Sequence, residues 1–256
     1  AIVTTLPMGP QHHPRMRVFA GADTVGHVVA QRPALSRVFE QEGIDYCCGG
    51  KETVARACHV KGLDPAALLG RLNAVVPPAG DEPIVDPAAM SLAELADHIE
   101  QTHHVYVRAE LRRVDGLAKK VAAAHGARNP RLNEVRETFL ALAEELSSHM
   151  IKEERVLFPL VRQLEIGAES LVFPCGTLAH PMRQMELEHE QAGLALQRLR
   201  ELTDGFVAPA WACNTYRALL DALAHFERDL HQHVHKENNV LFPRALAMEQ
   251  STGATP

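Results

Sequence analysis

One eleven-residue frame occurs twice in this chain, 84 residues apart, and it constrains the fold more than any other feature. The frame is His-x-x-x-Glu-x-x-x-Leu-Phe-Pro. It appears as His149, Glu153, Leu157, Phe158 and Pro159, and again as His233, Glu237, Leu241, Phe242 and Pro243. Residues four apart on an α-helix lie one turn above each other on the same face. Each copy therefore directs an imidazole and a carboxylate to one point, with an apolar Leu a turn further on. A solvated polar stripe on a helical hairpin repeat would also carry His and Glu at this spacing. Duplication of the pair together with Leu-Phe-Pro points instead to a metal site built by an internal repeat.

The surrounding pattern is that of four long helices. The first is expected over residues 91–124, where Ser91 with Glu94 has the form of a capping box. The second is expected over 130–165, with Pro159 bending or interrupting it. The third spans 178–202 and the fourth 209–248, interrupted again at Pro243. Residues 167–177, with Pro174 and Gly176, form the crossover. The expectation is an all-α four-helix bundle. If the second and fourth helices repeat, the first and third should repeat as well. The third carries His189, and 85 positions before it stands His104, a one-residue slip that a loop absorbs. His103 competes for this role, and the repeat favours His104. The set is then His104, His149, Glu153, His189, His233 and Glu237, with approximate two-fold symmetry.

These donors select the metal. Imidazole with carboxylate suits iron or manganese, whereas structural zinc prefers Cys-rich tetrahedral shells. Six donors are too many for one zinc and fit two octahedral, non-haem iron ions. With both Glu residues bridging and an oxo or hydroxo bridge, roughly one position per iron stays open to a small molecule such as O₂ or NO. The imidazole-rich shell favours Fe(II), hence reversible binding or release over strong oxidation. Glu145 and Asp229, one turn before His149 and His233, are expected to accept from the imidazole N–H groups. His231 and His235 point away from the ligand face and are expected in solvent. Glu188 fits either an access path or the surface. His98, His180 and His225 default to surface or core polar roles.

The rest of the chain divides by composition. Residues 1–20 read as a mobile tail, and 249–256 as a second tail. Residues 21–76 form a small helical unit: helices open at Thr24, near Pro33 and at Glu52, and Asp64 caps a fourth with Pro65 in its first turn. At this size the unit should dock on the rest of the chain or pair with another copy in a homodimer. Residues 77–89 form a Pro-rich linker. Five cysteines, with Cys47 and Cys48 vicinal and no C-x-x-C pair, read as reduced thiols in a cytoplasmic protein. A net charge of −6 argues against nucleic acid as the main partner. No apolar run is long enough for a membrane span, and no secretory signal is visible. The start at Ala1 reads as processed or trimmed.

With both halves in view, the chain resembles the RIC (repair of iron centres) family, also known as the ScdA/YtfE family, which implies a hemerythrin-like di-iron four-helix bundle with a small N-terminal helical domain. The resemblance rests on DYCCGGKETVARAC (45–58), EELSSHMIKEERVLFP (144–159), MELEHEQAG (185–193) and HKENNVLFPRALA (235–247), and covers about 21–248. Some members carry Tyr-His-x-x-His in the first bundle helix; here the segment is His103-His104-Val105-Tyr106-Val107. The resemblance implies the same six residues as iron ligands and a functional role for Cys47 and Cys48. It further implies restoring iron to iron–sulfur proteins damaged by nitrosative or oxidative stress. The site then reads as an iron donor more than a turnover enzyme, with NO or O₂ binding or reduction as the alternative.

Overall fold

The computed structural model describes residues 17–75, 86–167 and 176–252, and its regular structure is all-α. The proposed first tail lies outside these residues apart from 17–20, as do Cys175 and most of the linker. Side-chain caps delimit the helices of the N-terminal unit. α1 (Val25–Gln31) starts at Thr24, whose hydroxyl accepts from His27 N. A short 3₁₀ turn, Pro33–Leu35, leads into α2 (Ser36–Gln41). α3 (Val54–Lys61) is capped by Thr53, one residue past the expected start, and Gly62 ends it at φ +68°. α4 (Pro65–Ala74) is capped by Asp64, which accepts from Ala66 N and Ala67 N. Val25 N donates to Glu52 O and Val54 N to Asp23 O, both at 2.9 Å, tying the starts of α1 and α3 together. Val25, Val28, Leu35, Phe39, Val54 and Leu72 fill the core between these helices.

The bundle is built from four rods. The first comprises α5 (Leu92–His98), a π turn (Ile99–His104) and α6 (Val105–His125). It opens on the capping box of Ser91 and Glu94. The second runs from α7 (Arg131–Lys152) through a π turn (Glu153–Leu157) into α8 (Phe158–Ile166). α9 (Ala179–Leu202) is the third, and the fourth joins α10 (Asn214–Lys236) by a π turn (Glu237–Leu241) to α11 (Phe242–Thr252). α6 packs on α7 and α10, and α7 packs on α9.

Pro159 and Pro243 do not break their rods. The backbone widens to a π turn just before each proline. Each proline then takes the second position of the following helix, and the widened turn before it accommodates the missing N–H donor. α11 also continues past Met248 into the expected tail, because Glu249 is buried and accepts from Leu178 N at 2.9 Å.

The N-terminal unit docks on the fourth rod. Asn239 donates to Cys47 O at 2.9 Å, and a Cβ on Gly26 or Gly50 would run into the Asn239 side chain. Lys51 pairs with Glu186 at 2.8 Å, and Cys47 joins the bundle core. His235, expected in solvent, is buried by this docking, and its Nδ1 donates to Tyr46 O at 3.2 Å. Among the described residues no helix is long and apolar enough to cross a membrane.

Candidate metal centre

A polar layer interrupts the bundle between two apolar clusters, one holding Leu146, Met150, Leu230 and Val234, the other Leu157, Phe158, Leu241 and Phe242. Three π turns meet at this layer: His104 closes one, and Glu153 and Glu237 open the other two. π turns of this kind are frequent at functional sites. His104, His149, Glu153, His189, His233 and Glu237 are each at most 2% exposed. Their ligating atoms fall into two groups, each within 4.8 Å: His104, Glu153, His233 and Glu237, and His149, Glu153, His189 and Glu237. Both carboxylates belong to both groups, so two adjacent positions share them.

The geometry repeats across the approximate two-fold. His104 Nε2 lies 3.3 Å from Glu153 Oε2, and His189 Nε2 lies 3.1 Å from Glu237 Oε2. Within the rods, His149 Nε2 and Glu153 Oε1 are 3.1 Å apart, and His233 Nε2 and Glu237 Oε1 2.9 Å. The Nε2 atoms of His104 and His233 approach to 3.2 Å, those of His149 and His189 to 3.0 Å. The repeated Phe-Pro also finds its reason here. Phe158 stacks on the His104 ring at 5.8 Å and Phe242 on His189 at 6.2 Å, so each copy braces an imidazole from another rod.

Both oxygens of Glu153 and Oε2 of Glu237 are buried without a hydrogen-bond partner. The imidazoles beside them are close but not aligned to donate. Converging lone pairs of this kind are disfavoured in a protein interior unless a cation satisfies them. Oxygen and imidazole donors in these numbers fit a pair of first-row divalent ions. Without a cation, burial pushes both carboxyls up, but the surrounding imidazoles hold Glu237 well below the usual range and Glu153 below it. Burial disfavours the charged form of His149, yet the charge of Glu153 outweighs it and pushes the imidazole up to about 9.

A pH dependence follows. Below about pH 9 His149 carries a proton, which a cation held at this imidazole would have to displace. Apparent metal affinity should therefore rise about tenfold per pH unit for that proton between pH 6 and 9. Competition against a chelator of known affinity checks this; an affinity that is flat or falls with pH contradicts it.

An imidazole that directs Nε2 at a metal needs an acceptor for its Nδ1–H. His104 Nδ1 meets Glu154 Oε1 at 2.7 Å, and Glu154 is itself held by Arg108. His149 Nδ1 meets Glu188 Oε2 at 2.8 Å, and Glu188 is also bound by Lys152. His189 Nδ1 meets Asn238 Oδ1 at 2.9 Å. His233 Nδ1 is buried without a partner. The acceptors expected one turn away on the same helix, Glu145 and Asp229, are thus not the ones used; three imidazoles are supported from a neighbouring rod. Asp229 Oδ1 instead lies 2.9 Å from His103 Nδ1. His103 stands outside both donor groups, its Nε2 2.6 Å from Lys236 Nζ. His98 also contacts Lys236, at 3.0 Å.

Cys47 and Cys48 lie in the docked loop, next to the bundle. Asp45 orders them: its carboxylate accepts from the backbone N–H groups of Cys47, Cys48 and Gly49 at 2.9–3.0 Å. Cys47 is buried, Cys48 is partly exposed, and their sulfurs are 4.0 Å apart. Both line a cavity of about 110 Å³ with Lys51, Glu190 and Asn238. Asn238 is the acceptor behind His189, so the thiol cavity abuts the support of the cluster.

Residues 21–76 match the ScdA_N family model, a domain of unknown function, and residues 95–245 match the hemerythrin HHE cation binding domain. Among curated relatives, the chain is 36% identical over 226 residues to the iron-sulfur cluster repair protein YtfE of Pectobacterium atrosepticum. It is likewise 36% identical to that of an Enterobacter species and 35% to that of Escherichia coli. Each alignment covers 88% of this chain and 97% of the relative.

Proposed function

Since the chain belongs to the family of the iron-sulfur cluster repair proteins YtfE, we propose that it repairs damaged iron–sulfur clusters by carrying and releasing iron. Two non-haem iron ions would be held, one by His104 and His233, the other by His149 and His189, with Glu153 and Glu237 shared. The observation that carries this reading is the pair of buried donor groups with both carboxylates in common. Iron held by these residues would supply the replacement ion for a depleted cluster, and NO or O₂ would bind at the same site.

The chain's residues explain why such a site would release its cargo. Four imidazoles are neutral donors, so the two carboxylates compensate only half of the charge of two divalent ions. Cys47 and Cys48 supply thiols beside the cluster, and thiolates are strong iron ligands. The hydrogen bond that Cys47 donates to Cys48 and burial both push the Cys47 thiol up, so it stays protonated until a cation displaces the proton. Asp45 holds the loop through the backbone, and Asn238 joins the thiol cavity to His189.

Delivery is the test. Iron-loaded chain is mixed with a cluster-depleted iron–sulfur protein and a sulfide source, and cluster absorbance is followed. The Cys47→Ser/Cys48→Ser double variant should keep its iron but transfer it severalfold more slowly. Unchanged transfer would remove the thiols from the pathway. Absence of transfer from the unaltered chain would remove iron donation itself.

A further inference from the structure

The approximate two-fold fails at His103, and we propose that this failure makes the His104–His233 position the first to release its metal. The inference rests on the two-metal reading above. Around the cluster the halves correspond closely. Glu154 and Asn238 follow Glu153 and Glu237 and support His104 and His189. Lys152 and Lys236 precede the same two carboxylates. Glu188 precedes His189 and takes the N–H of His149, with Lys152 on its other oxygen. The residue that precedes His104, in the place of Glu188, is His103.

An imidazole in this place cannot do what the carboxylate does. The His103 ring lies flat against His233, with centroids 5.3 Å apart and planes 1° apart. Its Nδ1 is engaged by Asp229 and its Nε2 by Lys236, the counterpart of Lys152. Neither nitrogen offers a lone pair to His233 Nδ1, which is left buried without a partner. Asp229, four residues before His233 on the same helix, gives Oδ1 to His103, and its Oδ2 makes no hydrogen bond to His233. When His233 Nε2 donates to a metal, its hydrogen must sit on Nδ1. A buried N–H without an acceptor is disfavoured, and losing the partner behind a ligand typically weakens metal binding about 10- to 100-fold. The other position keeps both supports, Glu188 and Asn238. His103 is thus a positioning residue that divides a nearly symmetric pair into a donated and a retained ion.

The experiment uses the full chain loaded anaerobically with Fe(II), with release followed by a chromogenic ferrous chelator. The expected record has two phases of one equivalent each, with rates differing about tenfold or more. His103→Glu restores the missing carboxylate and should slow the fast phase towards the slow one. Glu188→Ala removes the existing one and should accelerate the slow phase alone, which keeps the inference testable should His103→Glu fail to fold. Two equivalents leaving in one phase, or Glu188→Ala acting on the fast phase, would overturn it. A chain that saturates with a single iron would sink the two-metal reading, and this inference with it.

Discussion

Stripping the metal should lower the unfolding temperature of this protein by roughly 10 °C for each position it occupied. A ligand that binds only the folded state stabilises it by about 4 kcal/mol at a thousandfold excess over Kd. Each kcal/mol moves the midpoint by roughly 2–4 °C in a chain of this size. One occupied position therefore accounts for about 8–16 °C, and a second adds to it. The structural reason is local. Glu153 and Glu237 are fully buried, and three of their four oxygens lack a hydrogen-bond partner. The layer they occupy lies between apolar clusters, and no described protein donor satisfies those three oxygens. Scanning calorimetry of loaded protein beside chelator-treated protein measures the difference. Equal midpoints would mean that the layer is stable without a cation, and that the six buried polar groups have another explanation.

Glu153→Ala should weaken both metal positions together, and so should Glu237→Ala. Each carboxylate belongs to both donor groups, so removing one takes a ligand from each position. The loss at each should exceed the roughly 10- to 100-fold typical of removing a hydrogen-bond partner behind a ligand. His189→Ala differs, because its ring serves one group only. That variant should retain one position while the Glu variants retain neither at full strength. Titration with Fe(II) or Co(II) distinguishes them. One full-strength position surviving in Glu153→Ala would show that the carboxylates are not shared.

The two copies of His-x-x-x-Glu-x-x-x-Leu-Phe-Pro made the bundle and its polar layer legible, because residues four apart on one helix stay together whatever surrounds them. Thr24, Asp64 and the Ser91–Glu94 box were equally readable, since a cap acts within its own turn. What spacing could not show lies between rods. Glu154 follows Glu153 in the chain but serves His104 from a different rod, and Glu188 serves His149 across another gap. Expecting Glu145 and Asp229 in those places followed from reading one helix at a time. The prolines marked where the α-helices are interrupted, but not the form the interruption takes. Pro159 and Pro243 each lack one hydrogen-bond donor, and the chain widens to a π turn just before each of them, which also sets Glu153 and Glu237 at the turn openings. His235 looked solvated because nothing in its own helix announces that the loop of Tyr46 covers it. Glu188 did carry a signal: it precedes His189 as His103 precedes His104, a correspondence that gains meaning once the rods are seen side by side.

The most direct test is iron per chain. Protein purified without oxygen and without chelators is analysed for metals beside Glu153→Ala/Glu237→Ala, with circular dichroism confirming that both are folded. Two donor groups predict about two irons in the unaltered chain and almost none in the folded double variant. Zinc in place of iron, no metal, or a metal content that the double substitution leaves unchanged would contradict the account.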